Sequence, residues 1–518
     1  MELMALFDEN PNRFDMTAFT TSLPDIIATI RTQISQLAGE ATLWKLDTQM
    51  KDSFADHFPL DILHVTDLPC DVYHHIKLLP GAPISVSCTY GCPRKYWSGW
   101  KTLIDQHVAA DQIQPSSSPY ASLSFIIPKA DPTVLPQWVN NHWHLNRLTV
   151  PNNYPLPRIN DILADCVKGK IWGKIDMMNS FFQTLVHPDD IKYTATLTPF
   201  GLWEWVVMPM GMWNSLATHQ RRITLMLKDL IGKICHVYLD NIIIWSNTLE
   251  EHKQNVSLVL EALWKAYLYC SLKKSILFMM EIDFLGHHIS ARGIEANQSK
   301  VLRILNWPAP KSTEHVWQFL GLVWYIAFFL LTLVEYTTIL TPLTRKECNA
   351  AFPTWTCNHQ AAFDNIKWLV IRRDCLTTID HENSGDNNIY VTCDVSKRQT
   401  DAVLSFGPSW ESAQPVAFES RQMNSAEHNY PVHEQEMLVI MRALKKWWVD
   451  LLGSHIHIHT DHKTLQNFDF QRNLSQQQAR WMEYLSQYEY TITYINGDHN
   501  TIADGYWGYQ TLWTTTHL

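Results

Sequence analysis

The stretch His236-Val-Tyr-Leu-Asp-Asn-Ile-Ile-Ile-Trp245 decides how the rest of this chain is read. Apolar, β-branched residues on both sides of Leu239-Asp240-Asn241 have the length and composition of two buried strands meeting at a turn. Asp240 is the anomaly. A carboxylate held in apolar surroundings is costly unless a cation compensates it, and a divalent metal at a strand turn is one way to do so. Working outward, Lys170-Ile-Trp-Gly-Lys-Ile-Asp176 is a second apolar strand that ends in an acid. If the two strands are neighbours in one sheet, Asp176 and Asp240 stand side by side. Two carboxylates so placed can share a pair of divalent cations, the arrangement that metal-assisted phosphoryl transfer requires.

The flanking chain is read as follows. Helices are expected at Trp100–Ala110, Arg158–Cys166, Asn214–Leu230 and Leu249–Tyr269. Strands are expected at Leu123–Ile127, over Phe200–Met208, and as a pair around Gly286 between Glu281 and Ser290. Helical periodicity runs from Ser312 to Val370, with breaks at Pro342 and Pro353, and the apolar run Val323–Val334 reads as a buried helix too short to span a bilayer. At Ile389 the pattern changes to strand, hairpin, helix and strand. Asp394 ends Ile389–Cys393, Glu436 lies on an amphipathic helix, Asp461 ends Ile456–Thr460, and Asp504 follows Thr501-Ile-Ala503. Four acids on separate elements in that order form a second candidate cation site. Glu434 is two residues from Glu436 and points away from it on a helix. His455, His457 and His459 alternate along one strand face, and His499 is a loop histidine.

Size and composition constrain the rest. The 518 residues have room for three or four cores; 46% are apolar and 18% charged, and the net charge is −10. That charge lowers the expectation of nucleic-acid binding without excluding a local basic surface. Ten scattered cysteines without a Cys-x-x-Cys pair point to a reducing compartment and away from a zinc knuckle. The first residues lack a basic segment and a cleavage site, so the expected location is intracellular, cytoplasmic or nuclear, and not secreted. The chain has 22 Trp but 18 Gly, although Gly normally makes up about 7% of residues.

Residues of about 60 to 375 resemble the reverse transcriptase of gypsy-type LTR retrotransposons, fungal ones in particular. The resemblance rests on Ser118-Pro-Tyr-Ala-Ser122, Asn153-Tyr-Pro-Leu-Pro-Arg-Ile159, Lys174-Ile-Asp176, Pro199-Phe-Gly201, Met208-Pro-Met-Gly211 with Asn214, Tyr238-Leu-Asp240, Phe284-Leu-Gly-His287, Asn306-Trp-Pro308 and Phe319-Leu-Gly-Leu322. Residues of about 385 to 508 resemble the ribonuclease H domain of the same elements. The matching pieces are Thr392-Cys-Asp394, Ala402-Val-Leu404, His433-Glu-Gln-Glu436, Ala443-Leu-Lys-Lys-Trp447, Thr460-Asp-His-Lys463 and Ala503-Asp504. The tail departs from the pattern at Gly505-Tyr-Trp-Gly508.

The resemblance implies an α+β fold: a right-hand polymerase with fingers, palm and thumb, followed by an α/β ribonuclease H-like domain. The implied boundaries are a lead-in segment at 1–60, fingers and palm at 61–290, thumb and connector at 291–380, the nuclease at 385–508 and a tail at 509–518. It implies Mg2+ or Mn2+, two ions per site, held by Asp176 and Asp240 in front and by Asp394, Glu436, Asp461 and Asp504 behind. Phe181 matches the aromatic under the incoming sugar, Met208, Pro209 and Gly211 the loop beside the nucleotide, and Lys129 the lysine that meets the triphosphate. The implied partners are an RNA template, a DNA primer, an RNA/DNA hybrid and deoxynucleoside triphosphates, with a homodimer left open and no membrane.

Several positions depart from the family. Asn241 stands where a second aspartate is usual, Gln137 where an arginine meets the triphosphate, Asn141 and Trp143 where Asp and Arg are usual, and Leu123 and Leu216 where Pro is usual. Asn lacks the charge that helps hold a divalent ion, and Gln lacks a fixed cationic fork. All these replacements are reachable by a single C-to-T or G-to-A transition, a bias that would also deplete Gly and enrich Trp. The expectation is an RNA-directed DNA polymerase with ribonuclease H activity from a mutationally decaying element copy whose polymerase is impaired. The alternatives are a silent nucleic-acid-binding remnant and a nuclease alone.

Overall fold

The computed structural model describes residues 39–495 apart from 60–61, 71, 87–90, 130, 132–134, 372–374, 382, 397–398 and 471–474. Asp504, His499 and the Gly505–Gly508 stretch therefore lie outside the described residues.

In the front half, β1 (Tyr73–His74) precedes α1 (Trp97–Ala109), β2 (Ile113–Pro115), β3 (Ser122–Ile127), β4 (Gln137–Asn141), α2 (Trp143–Leu148) and α3 (Ile159–Cys166). Then come β5 (Ile171–Asp176), β6 (Leu185–Val186), β7 (Thr196–Thr198), β8 (Gly201–Trp205), α4 (Ser215–Met226), β9 (Cys235–Tyr238), β10 (Asn241–Ser246), α5 (Leu249–Lys265) and β11 (Ile276–Met279). Two larger sheets organise these elements, one in the order β11-β5-β10-β9 and the other β2-β8-β7-β3-β4, while β1 and β6 pair separately.

The first sheet follows from the apolar run. In β10 successive side chains point to opposite faces. Ile243 and Trp245 enter one core with Trp172, Phe284 and Phe319, while Ile242 and Ile244 enter another with Ile175, Val256 and Phe278. Because both faces are covered, the strand shows no polar alternation, and β-branched residues suit such a position. On α5, Thr248 caps the N-terminus, its Oγ1 accepting from Glu251 N at 3.3 Å, and Val256, Val259, Leu260 and Leu263 are buried.

Two expected helices end early, and one splits. The helix expected to reach Tyr269 stops at Lys265, because Tyr267 takes a left-handed φ of 52° and turns outward. The helix expected to reach Leu230 stops at Met226. The run Val323–Val334 is not one helix: the helix holding its start ends at Trp324, and Thr332 takes φ 58° ahead of the next. Leu330, Leu331 and Leu333 are buried around that corner, so the apolar run fills a bend in the core. In the Phe200–Met208 stretch, only Gly201–Trp205 is strand, and it pairs with the upstream Thr196–Thr198.

Residues 39–53 are helical, and Leu43, Phe58 and the partly buried Phe54 join the core beneath β5 and β10. Asp47 Oδ1 accepts from Leu277 N at 2.5 Å. The described part of the lead-in segment is thus a layer of the first sheet's support.

Beyond β11 a three-stranded sheet, β12 (Glu281–Phe284), β13 (His287–Ser290) and β14 (Gly293–Ala296), leads to α6 (Gln298–Leu305), α7 (Thr313–Trp324), α8 (Leu333–Leu340) and α9 (Cys357–Ile371). The rear half has β15 (Asn388–Val395), β16 (Gln399–Gly407), β17 (Gln414–Gln422), α10 (Val432–Lys446), β18 (His455–Thr460), α11 (Gln476–Leu485) and β19 (Glu489–Tyr494). Its sheet runs β17-β16-β15-β18-β19, with β15, β18 and β19 parallel. The core around Phe319 and Phe363 continues into this sheet through Val403 and Phe418. No helix among the described residues is long and apolar enough to cross a membrane.

Candidate nucleotidyl-transfer and nuclease sites

The front acids meet through backbone pairing. β5 and β10 are antiparallel, with Asn241 opposite Asp176 and Ile242 opposite Ile175. Asn241 also pairs with Tyr238, so Leu239-Asp240 is a two-residue turn whose first residue takes φ 56°. Met177 N donates to Asp240 O at 3.0 Å, tying the turn to the residue that follows Asp176. Asp176 and Asp240 therefore stand at the same end of adjacent strands. Residues directly opposite in a ladder share a face, so the Asn241 amide lies on the Asp176 side of the sheet.

Asp176 is 9% exposed. Its Oδ1 is 3.2 Å from Lys274 Nζ, and its backbone N donates to Ser275 Oγ at 3.1 Å. Gln220 on α4 supports the turn, accepting from Leu239 N at 2.8 Å and donating to Val237 O at 3.2 Å. A buried acid beside a second acid, with an ammonium near one of them, fits a cation site. The amide at Asn241 contributes a neutral oxygen where a third charge would strengthen it.

Phe181 lies in the 3-10 turn Ser180–Gln183 that follows β5. It is half-buried against Met208, Met212 and Val186, with His219 at 5.4 Å between ring centroids. Met208 and Pro209 are buried, and Met208 N donates to Thr184 O at 2.8 Å. Gly211 takes φ 94°, and a Cβ there would stand 2.9 Å from Asn140 O. Asn146 clamps the loop, donating to Gly211 O at 2.9 Å and accepting from Trp213 N at 2.8 Å. Gly211→Ala should therefore cost about 1–3 kcal/mol of strain and lower the melting midpoint by a few degrees. An unchanged midpoint would show that the loop relaxes freely.

Lys129 and Gln137 are both exposed at the loop end of the β3–β4 hairpin, where Ile127 faces Gln137. They belong to a different sheet from the acids. Trp143 is also exposed, with the Arg147 guanidinium 4.9 Å from its ring centroid.

Behind, parallel pairing does the same job. Thr392 is level with His459 in β15 and β18, so Asp394 and Asp461, each two residues further on, emerge together at the strand ends. Glu436 reaches in from α10, is 4% exposed, and accepts from Thr460 Oγ1 at 3.3 Å. Burial, and then the neighbouring Asp461 and Asp394 carboxylates, push its acid up to about 8. Three crowded acids, one of them driven toward its neutral form, are a donor set that divalent cations would relieve. The trio does not close to within 4.8 Å around one point; a pair of ions about 3.5–4 Å apart needs a wider spread. Glu434 turns elsewhere, accepting from Gln478 Nε2 at 3.1 Å. His459 is 8% exposed and stacks on Trp410 at 5.0 Å, while His455 stays exposed. The three strand histidines do not form one solvated polar face.

Sequence reading passed over the groups that position these sites. Arg222 is 3% exposed on α4 and donates to Gln183 O at 2.6 Å, Thr184 Oγ1 at 3.1 Å and Ala266 O at 3.0 Å. Gln183 in turn accepts from Tyr269 N at 2.8 Å. Their partners are far away in sequence, so only the fold reveals them. Asp401, cross-strand from Asp394 and 5% exposed, was also passed over; burial pushes its acid up to about 6.

Comparison with known proteins agrees with this layout. Residues 137–289 match the family described as reverse transcriptase (RNA-dependent DNA polymerase), and residues 385–488 the RNase H-like domain found in reverse transcriptase. The chain is 33% identical over 395 residues to the retrovirus-related Pol polyprotein from transposon 297 of Drosophila melanogaster, covering 76% of this chain and 36% of that one. It is 30% identical over 405 residues to the transposon Tf2-7 polyprotein of Schizosaccharomyces pombe, covering 77% and 30%. It thus spans about a third of the length of these curated relatives. Among solved structures, the foamy viral protease-reverse transcriptase in complex with dsDNA superposes with a TM-score of 0.77 at 21% identity, covering 88% of this chain and 94% of that one. The same protein in complex with an RNA/DNA hybrid gives 0.73 at 21% identity, covering 88% and 61%. At that identity the likeness speaks to the fold: a right-hand polymerase followed by a ribonuclease H-like domain.

Proposed function

Because the chain belongs to the reverse transcriptase–ribonuclease H family of gypsy-type retrotransposon Pol proteins, we propose that it copies RNA or DNA templates into DNA at Asp176/Asp240 and hydrolyses the RNA strand of hybrids at Asp394/Glu436/Asp461. One observation carries the reading: in each module a pair of acids, Asp176/Asp240 and Asp394/Asp461, stands at the ends of hydrogen-bonded neighbouring strands, converging although far apart in sequence. Asp504 completes the rear set by resemblance alone. The RNA/DNA hybrid, primer, template and deoxynucleoside triphosphates are its substrates and partners in this reading, as is Mg2+ or Mn2+.

Bound divalent ions would supply activation of the attacking oxygen and neutralisation of charge at phosphorus. The chain's own residues do the rest. Asp176 and Asp240 hold two negative charges at fixed strand ends. Phe181, braced by Met208 and Met212, presents a flat apolar edge where an incoming sugar would stack. Lys129, on the hairpin tip, supplies positive charge for a triphosphate. In the rear, Glu436 brings a buried carboxylate up to the strand-end acids Asp394 and Asp461, where divalent ions would relieve the crowding.

A second reading, nuclease activity alone, is favoured by the two altered front positions, Asn241 and Gln137. An RNA/DNA hybrid labelled on the RNA strand and a primed template separate the two. Hybrid cleavage in Mg2+ is expected, with a loss of at least about a hundredfold in Asp461→Asn. Cleavage without detectable extension selects the nuclease. Failure of both, with the chain still folded, leaves a silent remnant.

A further inference from the structure

A different cluster of ligand-type side chains lies outside both acid sites. Among the described residues, His75, His187 and Asp190 form the group of three whose ligand atoms all lie within 4.8 Å of one another. The backbone builds this convergence. β1 and β6 pair in parallel, with Tyr73 level with Leu185 and His74 with Val186, and His187 N donates to His74 O at 3.0 Å. His75 and His187 therefore leave the paired strands side by side, their rings 4.5 Å apart. The chain then doubles back through the 3-10 turn Pro188–Thr194, with Asp190 N donating to His187 O at 2.8 Å. Asp190 Oδ2 accepts from Ile76 N at 3.1 Å and lies 3.4 Å from His75 Nδ1.

We propose that His75, His187 and Asp190 bind a borderline divalent transition metal of the Zn2+ class, with water in the remaining position. Two imidazoles and one carboxylate are a donor set that Zn2+ accepts, whereas Mg2+ and Ca2+ take oxygen ligands. The acid sites carry carboxylates alone, so the two kinds of site select different ions. Zn2+ holds its ligands at about 2.0–2.2 Å, so the three atoms must close slightly from the spacing seen. His75 is 53% exposed at the side chain and has room to turn inward, while the His187 ring, 33% exposed, accepts weakly from Asp189 N through Nδ1 at 3.4 Å. Asp190 is the anchored member, 17% exposed and already oriented by the Ile76 amide, as an outer hydrogen bond orients a metal ligand. The bound ion would pin the strand that follows the lead-in segment to the strand that follows the Phe181 turn.

The test uses the full chain, stripped with chelator and then held in excess Mg2+ so that oxygen-rich sites are satisfied. Calorimetric titration should show one Zn2+ bound per chain. Co2+ in its place should give the intense visible bands of a four-coordinate nitrogen–oxygen site, distinct from the weak bands of an all-oxygen octahedral one. His75→Ala, on an exposed ring, should keep the melting midpoint of the metal-free chain yet weaken Zn2+ by at least about tenfold. His187→Ala should do the same. If either variant binds Zn2+ with unchanged affinity and stoichiometry, or the parent chain binds none, the proposal is overturned and the cluster is a ring pair with a surface ion pair. Neither outcome touches the polymerase or nuclease assays.

Discussion

Asn241→Asp combined with Gln137→Arg should raise templated primer extension by about 10- to 100-fold. Position 241 faces Asp176 across the ladder and shares its side of the sheet. A carboxylate there adds a full negative charge next to one that is 9% exposed. Toward a divalent ion held between them, each unit of charge at about 4 Å and an effective dielectric of about 20 is worth roughly 4 kcal/mol of attraction, opposed by repulsion from Asp176. Desolvating the new acid offsets part of that gain. The guanidinium at 137 acts separately, giving the exposed hairpin tip a planar fork for phosphate oxygens beside Lys129. Single-turnover extension across a Mg2+ series is the measurement. The repaired chain should also reach half its maximal rate at lower Mg2+. Equal rates before and after repair would rule out the impaired-polymerase reading and, with it, the idea that this copy is decaying.

The second large effect is acid lability. His74, His142, His219, His252, His287 and His459 are each pushed down to about 4, in every case chiefly by burial. All six are at most 8% exposed. His252 shows why: its Nε2 is 2.8 Å from Leu277 O and its Nδ1 3.0 Å from Ser246 Oγ, inside the core under β10. Folded, these rings stay neutral until about pH 4; unfolded, they take up protons near 6.5. Between those values the unfolded chain binds more protons. Their contribution is therefore intact above pH 6.5 and is lost as pH falls toward 4. Each can remove about 1.4 kcal/mol per pH unit. Acting together, they outweigh a net stability of about 5–15 kcal/mol within roughly two pH units. Tryptophan fluorescence followed from pH 7.5 to 4.5 should show cooperative unfolding above pH 4.5. A melting midpoint that is flat from pH 7 to 5 would refute this account.

Some of this molecule is legible in its residues, and some is not. The run Ile242–Trp245 announces a two-sided strand because β-branched side chains with no polar alternation suit little else, and each acid at the end of such a run marks a place where a carboxylate must be compensated. What stays hidden is whatever depends on distant pairing. Nothing near Asp47 says that its carboxylate will accept from Leu277 N, and nothing near Arg222 says that it will bind the carbonyls of Gln183 and Ala266. Helix ends are hidden for another reason. Tyr267 and Thr332 adopt left-handed backbone without glycine, so local composition carries no stop signal. His75 is the sharpest case: its two metal-type neighbours lie more than a hundred residues downstream, and only a two-residue parallel ladder brings them level.

The core that reaches Val403 and Phe418 bears on how this chain can be divided. Those side chains belong to the nuclease sheet, yet they are covered by residues that precede it, and Thr377 N donates to Pro415 O at 2.8 Å across the same seam. A cut in the polar stretch ahead of Asn388 would fall between two readable modules but leave a raw greasy wound on each. Fragments made there would stick to themselves or to their expression host's chaperones. The two acid sites stand apart, but the modules that carry them share one core.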